Sequence, residues 1–368
     1  MKLRLLDWLA CPDCGGPVEA EAFRRDDASG EIEEGLLRSG CGRVYPVVQA
    51  IPRMLDEGVE LFPEFARRYA DRLPPERRQP AGGRFSVSER LIRRTMESFG
   101  YQWTLFPEMV IDFRENFLRY MEPLTESFFR GKVGIDLGCG FGRHVYNAAQ
   151  CGAEMVGVDL SRAIDAARRN TRRLANVHLV QANLYRLPFR RQCFDFAYSL
   201  GVLHHLPDPE RGFACLWPLV KPGGTVLIWV YSKSRRVTNW LLETVRGITT
   251  RLSARAQTAI AYACAAADWS LFIAPYRIGS RLPVIGRLVD QITFPRLKVY
   301  SAYPFQVVCA DWLDRLTAPI RFYYDGQDLD GWFRRAGLDQ IRVHATGLFG
   351  WTACGQTAPT EHPSPIPS

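Results

Sequence analysis

Three groups of residues in this 368-residue chain have the types and spacing to do chemistry. The first is Val133-Gly134-Ile135-Asp136-Leu137, a strand-like run that ends in Gly138-Cys139-Gly140-Phe141-Gly142. Glycines at alternate positions let a backbone turn tightly and approach a ligand closely. A helix opening after such a turn points its free N–H groups at that ligand. Asp159 closes a second run, Val156-Gly157-Val158, about 20 residues beyond the turn, where a carboxylate can accept both hydroxyls of a ribose. Asp136, just before the glycines, suits a ligand that carries an amino group. A glycine turn alone is a weak signal, shared by dehydrogenases and by structural turns. A dinucleotide site wants Gly-x-Gly-x-x-Gly to hold a pyrophosphate, whereas this turn reads Gly-x-Gly-x-Gly with Arg143 and His144 after it. The spacing favours a ligand without phosphate.

The second group is Cys11-Pro12-Asp13-Cys14, a Cys-x-x-Cys knuckle, with Cys41 further on. Two thiolates at this spacing can share one metal ion, and a tetrahedral zinc site needs four ligands. Ser39 stands where a fourth cysteine would complete the set, and no histidine lies near. Zinc at Cys11, Cys14 and Cys41 thus lacks an identified fourth ligand. A redox role has less support, because no thioredoxin-like βαβ unit surrounds the knuckle. The third group is His204-His205, whose imidazoles have the pKa range of a general base; a structural role in the turn is the alternative.

The elements that must position these groups follow from periodicity. Strand-like runs at Val133–Leu137, Met155–Val158, Val177–Gln181, Phe194–Ser199 and Thr225–Tyr231 alternate with helical patterns, as parallel βαβ units do. Ile341–Ala345 and Trp351–Gly355 come much later. Ser161 can cap a helix in which Ile164, Ala167, Thr171 and Leu174 recur at helical spacing and face the sheet. Residues 1–57 read as a small β module, and 58–85, rich in Pro, Arg and Gly, as a linker. The main domain is expected over 86–231 and 331–358, with a disordered tail at 359–368. Residues 232–330 interrupt the alternation with a helical, aromatic insertion, basic at its start, of the kind that shapes a substrate pocket.

Composition narrows the classes. Hydrophobic residues at 47% and charged residues at 23% are ordinary for a globular protein. The net charge of +8 suits acidic partners such as RNA, an anionic membrane surface or an anionic substrate, or merely an Arg-rich solvated surface. Met1 to Ala10 lacks the apolar core of a secretory signal, and the cysteines outside the knuckle group are scattered singly, so a reducing cytoplasm is expected. The most apolar stretch, Thr258 to Pro275, carries Asp268 and reads as a buried or surface-lying helix rather than a membrane span.

Lys132 to Tyr231 resembles the class I S-adenosylmethionine (SAM)-dependent methyltransferases that act mostly on small molecules. The glycine turn, Val156–Ser161, Leu187-Pro188-Phe189 with Cys193-Phe194-Asp195, Gly201-Val202-Leu203-His204-His205-Leu206 and Leu219-Val220-Lys221-Pro222-Gly223-Gly224 follow that family's order and spacing. The resemblance implies a doubly wound, Rossmann-like α/β sheet with SAM as cofactor. It places Asp136, Gly138, Cys139, Gly140 and Gly142 along the amino-acid part of SAM, with Asp159 on the ribose and Leu160 on the adenine. Asn183-Leu184 falls where an Asp usually receives the adenine amino group, and the Asn183 amide oxygen can accept the same bond. Ser199 and Leu200 would pass beneath the methionine chain. In similar enzymes the segment before the first strand folds over SAM, so Tyr101 and Trp103 are expected to touch the sulfonium or the substrate, or else to be core aromatics. His144 would be a polar neighbour of SAM, and Trp229, Tyr231 and Tyr303 walls of the acceptor pocket.

Residues 35–55 together with the knuckle resemble the zinc-ribbon-like activator partner of tRNA, rRNA and protein methyltransferases. Three functions then compete. The leading expectation is methylation of a small-molecule or lipid-like acceptor, with membrane-surface contact open to the basic stretch Lys233–Arg255. RNA methylation is the runner-up, motivated by the module and the charge; Ser199-Leu200-Gly201-Val202 replaces the Asn-Pro-Pro-Tyr type motif used on exocyclic base nitrogens. A SAM-binding regulator is the third.

Overall fold

A computed structural model describes residues 1–74, 96–98, 100–283, 286–293, 295–347 and 349–359. The remainder of the expected linker, 75–85, the expected start of the main domain, 86–95, and nearly all of the expected tail lie outside these residues.

The strands are β1 (Val18–Arg25), β2 (Ile32–Ser39), β3 (Val44–Val48), β4 (Ile51–Met54), β5 (Val133–Leu137), β6 (Glu154–Asp159), β7 (Val177–Ala182), β8 (Phe194–Leu200), β9 (Val220–Tyr231), β10 (Asp339–Thr346) and β11 (Gly350–Gln356). They form one sheet in the order β1-β2-β3-β4-β7-β6-β5-β8-β9-β11-β10. β5 to β9 pair in parallel, with the reversal of strand order at β5 that opens a ligand crevice at the strand C-termini. β11 runs antiparallel between β9 and β10. Strands buried on both faces read as nearly continuous apolar runs, which is why β5 to β8 were visible in the sequence. β9 starts earlier than its apolar run, because Val220 already pairs with Phe194 across a bulge.

Helices cover both faces. α2 (Arg114–Met121), α3 (Arg143–Gln150) and α4 (Ala163–Thr171) pack one side through Phe117, Val145, Ala148, Ile164 and Ala167. On the other side, Phe213 and α8 (Gly326–Arg335), through Leu329, Trp332 and Phe333, join a core that also takes Leu5, Trp8 and Leu9 from the amino terminus. α8 starts within the range expected for the insertion but packs on the sheet. The insertion proper therefore consists of α5 (Arg236–Thr249), α6 (Ala254–Asp268), α7 (Phe305–Thr317) and shorter turns.

Ala254–Gly279 runs on as one helix, with a π turn at Trp269–Ile273. By length and composition it is apolar enough to cross a membrane, with 22% of its apolar window buried. One face packs on α7 through Ala265 and Ile273 against Val308 and Cys309, and buried Asp268 accepts the Trp312 Nε1–H at 3.0 Å. The opposite face, with Leu271 and Phe272, is exposed.

The amino-terminal β module is not a separate body. β4 adds in parallel to β7, Arg53 opposite Gln181 and Met54 opposite Ala182. Residues 58–74, expected as linker, instead belong to the module. α1 (Pro63–Arg68) and the turn after it bury Phe65 and Leu73 against Leu36, Val44 and Val48. At the seam Arg53 is fully buried, and its guanidinium donates to Asp165 Oδ1 at 2.6 Å, Gln181 Oε1 at 3.0 Å and the Val48 carbonyl at 3.2 Å. Removing one member of a buried ion pair strands the other charge, at a cost of about 3 kcal/mol or more; Arg53 would be left fully buried, whereas Asp165 is partly exposed and keeps Arg162 at 3.3 Å. Asp165→Ala is therefore expected to lower the thermal unfolding midpoint by more than Arg53→Met does. An Asp165→Ala midpoint equal to that of the unaltered chain would refute this role.

Candidate cofactor and acceptor site

The glycine turn is clamped to the end of β6. Gly138 and Cys139 donate their backbone N–H groups to the Val158 carbonyl at 2.8 and 2.9 Å. Asp159 Oδ2 accepts the Gly140 N–H at 2.9 Å, and Oδ1 accepts the Ser161 N–H and hydroxyl at 2.8 and 2.7 Å. The Ser161 hydroxyl in turn accepts the Ala163 N–H, which starts α4. Gly138 has φ +87°, and a Cβ there would come within 2.3 Å of the Val202 side chain. Gly142 has φ +88°, with Ala167 3.0 Å from a Cβ. Any side chain at either place would strain the backbone and drive α4 or the 201–203 turn outward.

A cavity of about 1260 Å³ opens on this turn and runs to the insertion. Gly138, Cys139, Gly140, Asp159, Leu160, Asn183, Leu184, Leu200 and Trp103 line it, as the sequence led us to expect. Trp103 stacks on Phe141 with centroids 4.3 Å apart and covers Gly140. Asn183 Oδ1 already accepts the Tyr185 N–H at 3.0 Å, which leaves one lone pair for a ligand. His144 lines the wall and takes a hydrogen bond from Arg143.

Four expected residues stand back from the cavity. Gly142 serves helix packing. Ser199 is buried and donates to the Leu137 carbonyl at 2.7 Å. Tyr101 hydrogen-bonds Thr258 at 3.1 Å, tying the segment over the turn to α6. Asp136 lies behind the turn, with its Oδ2 buried and unpartnered. Burial, then the nearby Asp159, holds the Asp136 carboxyl well above the usual range. A buried acceptor atom beside a second carboxylate invites a cation, and an amino group at the turn would supply one. The cradle, the orphaned Asp136 oxygen and Asp159, whose Oδ2 carries a single hydrogen bond and so keeps a lone pair for a hydroxyl, together fit SAM.

The structure separates the two histidines. His205 lines the cavity, and its Nδ1 is 2.7 Å from the Ile320 carbonyl, which fixes the proton on Nδ1. Burial, then Arg321, brings its pKa down to about 4 despite Asp314, so the ring is neutral near pH 7. His204 is fully buried with neither ring nitrogen partnered, and its ring lies 3.9 Å from that of Tyr231. It does not line the cavity and supports the wall instead. At the far end of the cavity Tyr231 and Tyr303, expected from the sequence, are joined by Asp314 and Arg321, which were not expected. Asp314 Oδ2 accepts the Tyr231 hydroxyl at 3.2 Å and pairs with Arg321 at 3.3 Å. The helical spacing of Asp311, Asp314 and Arg315, all three lining the cavity, was the available signal.

In the amino-terminal module the sulfurs of Cys11, Cys14 and Cys41 lie within 4.8 Å of one another. Ser39 Oγ sits 3.3 Å from Cys14 Sγ and 3.4 Å from Cys41 Sγ, at the remaining corner. Cys11 and Cys41 are 3.7 Å apart, close to the edge of about 3.8 Å that Zn–S bonds of about 2.3 Å give in a tetrahedron. Burial pushes the Cys11 thiol up, but hydrogen bonds from Ser39, Tyr45 and two backbone amides outweigh it and bring it down to about 6. The three thiols could hold a zinc ion, with the Ser39 hydroxyl at the place the sequence left without a thiolate.

This strand order and turn are those of a doubly wound, Rossmann-like α/β domain. Residues 135–228 match the methyltransferase-domain family, and residues 2–49 match the Trm112p-like protein family. The parallel strands thus lie in a region similar to methyltransferase domains, and the amino-terminal β module in one similar to Trm112p-like proteins. The chain is 33% identical over 109 residues to a ubiquinone biosynthesis O-methyltransferase of Coxiella burnetii, covering 29% of this chain and 46% of that one. It is 30% identical over 118 residues to a tRNA U34 carboxymethyltransferase of Pseudoalteromonas translucida, covering 31% and 35%. The chain thus spans less than half the length of these relatives. Among solved structures, the 1,6-didemethyltoxoflavin-N1-methyltransferase of Burkholderia thailandensis overlaps 76% of this chain and 94% of its own, at 14% identity and a TM-score of 0.44.

His204 gives a test by pH. Burial, with His205 and Arg321 beside it, holds its pKa well below the ordinary value of 6.5. Below about pH 6.5 the unfolded chain takes up a proton there that the folded chain refuses, so folding stability drains away as pH falls. His204→Phe removes that proton. Its stability relative to the unaltered chain should rise as pH drops from 7.5 to 5.5, read by urea unfolding at each pH (about 1 kcal/mol of relative gain over the interval). A difference independent of pH would show that His204 is not a buried neutral imidazole.

Proposed function

We propose that this chain transfers the methyl group of SAM to a small, lipid-like acceptor held between the sheet and the insertion. The observation that carries the reading is the continuity of the cavity, from the glycine turn to the polar cluster of His205, Tyr231, Asp314 and Arg321. Most of its wall is apolar, which suits an acceptor with a hydrocarbon body and one polar end.

Bound SAM would supply an activated methyl group on a sulfonium. The protein then has to align a nucleophile and exclude water. In this reading Gly138 to Gly140 hold the amino-acid part with the Asp136 carboxyl behind them, Asp159 the ribose, and Leu160 with Asn183 the adenine. Trp103 closes the turn from above. His205 is the group placed to accept a proton from the acceptor, in the tautomer that Ile320 selects. The cysteines scattered singly outside the knuckle group support action in a reducing compartment such as the cytoplasm.

RNA methylation is the second reading, favoured by the Trm112p-like module and the match to a tRNA-modifying enzyme. A mainly apolar cavity wall counts against a charged polynucleotide. Incubation of the full chain with methyl-labelled SAM and a cell extract, then separated into lipid, small-molecule, RNA and protein fractions, distinguishes them. Label in the lipid or apolar small-molecule fraction is expected. Label confined to RNA would overturn the acceptor reading, and no transfer to any fraction would overturn the activity.

A further inference from the structure

α5 has its polarity reversed. Its inward side carries Arg246 and Thr249, both buried, and Thr249 donates to the Leu316 carbonyl at 2.7 Å. Its outward side carries Val237, Trp240, Leu241, Val245 and Ile248, which recur at the spacing of one helical face. Val237, Trp240 and Ile248 are 72%, 66% and 67% exposed. A helix that meets only water shows the opposite arrangement, and a contiguous exposed apolar face marks a contact surface.

The charge around that face selects what it contacts. Arg236 precedes it and Arg251 and Arg255 follow it, all three exposed and without an ion-pair partner among the described residues. Glu243, the one acid of α5, is turned to Arg246 and to the Tyr323 hydroxyl, which donates to it at 3.0 Å. A twofold dimer through this face would bring the arginines against their copies. RNA would leave the apolar stripe unsatisfied. An apolar face rimmed by cations, with a Trp in its stripe, is the pattern of a helix lying in an anionic lipid interface.

We infer that the outward face of α5 docks the protein on an anionic phospholipid bilayer. The inward side of the same helix lines the cavity through Asn239 and Leu242. Docking would therefore seat the cavity wall itself on the bilayer. This inference stands apart from the chemistry at the glycine turn and does not require it.

The test uses the full chain and sedimentation with vesicles of phosphatidylcholine alone or mixed with phosphatidylglycerol. Binding to the mixed vesicles, weakened by salt, is expected. W240S/I248S and R251S/R255S should each bind them on the order of tenfold more weakly. Both pairs are exposed and outside the cofactor site, so thermal midpoint and S-adenosylhomocysteine affinity should hold, which separates lost docking from lost folding. Failure of the unaltered chain to bind the mixed vesicles would overturn the inference, as would variants that bind them equally well. A dimer in solution that W240S/I248S converts to monomer would also overturn it, by assigning the face to a second copy.

Discussion

The site depends on one carboxylate. Asp159 joins the end of β6 to the glycine turn through Gly140 and to the start of α4 through Ser161. Three chain segments that meet at the reversal of strand order are thus held by hydrogen bonds to a charged acceptor, each stronger than a neutral pair. Burial pushes the Asp159 carboxyl up, and its Ser161 and Gly140 hydrogen bonds offset part of that rise. The arrangement places two acids, Asp136 and Asp159, near the ends of adjacent strands, Asp159 hydrogen-bonded through both oxygens and Asp136 left with one buried oxygen unpartnered.

The second constraint is the seam between β4 and β7. The amino-terminal module meets the cofactor side of the domain, for β4 pairs with Gln181 and Ala182, and the next residue is Asn183 in the cavity wall. Leu5, Trp8 and Leu9 enter the main core at the same time. The module thus buttresses the cavity wall at Asn183, while the insertion builds the far end of the same cavity. The two ends rest on opposite edges of the parallel strands.

Much of this was legible in the sequence because buried parallel strands leave apolar runs and a ligand turn leaves glycines. The inward residues of α4, Ile164, Ala167 and Thr171, were read correctly from spacing alone. The extent of the module was misread. Pro, Arg and Gly density around 58–74 masked Phe65 and Leu73, whose burial depends on strands far back in the chain. His204 and His205 are neighbours in sequence, and only the tertiary packing of Tyr231 and Ile320 gives one the core and the other the cavity. Asp314 and Arg321 pair across a helix end, and they meet Tyr231 only when the insertion folds back on β9.

The central claim is that the glycine turn is a SAM site. Calorimetric titration of the full chain with S-adenosylhomocysteine, alongside Gly138→Ala, tests it most directly. The account predicts one-to-one binding that the variant loses by about a hundredfold or more, since a methyl at Gly138 meets both a forbidden φ and the Val202 side chain. Equal affinity in the two proteins, or no binding by the unaltered chain, would contradict it.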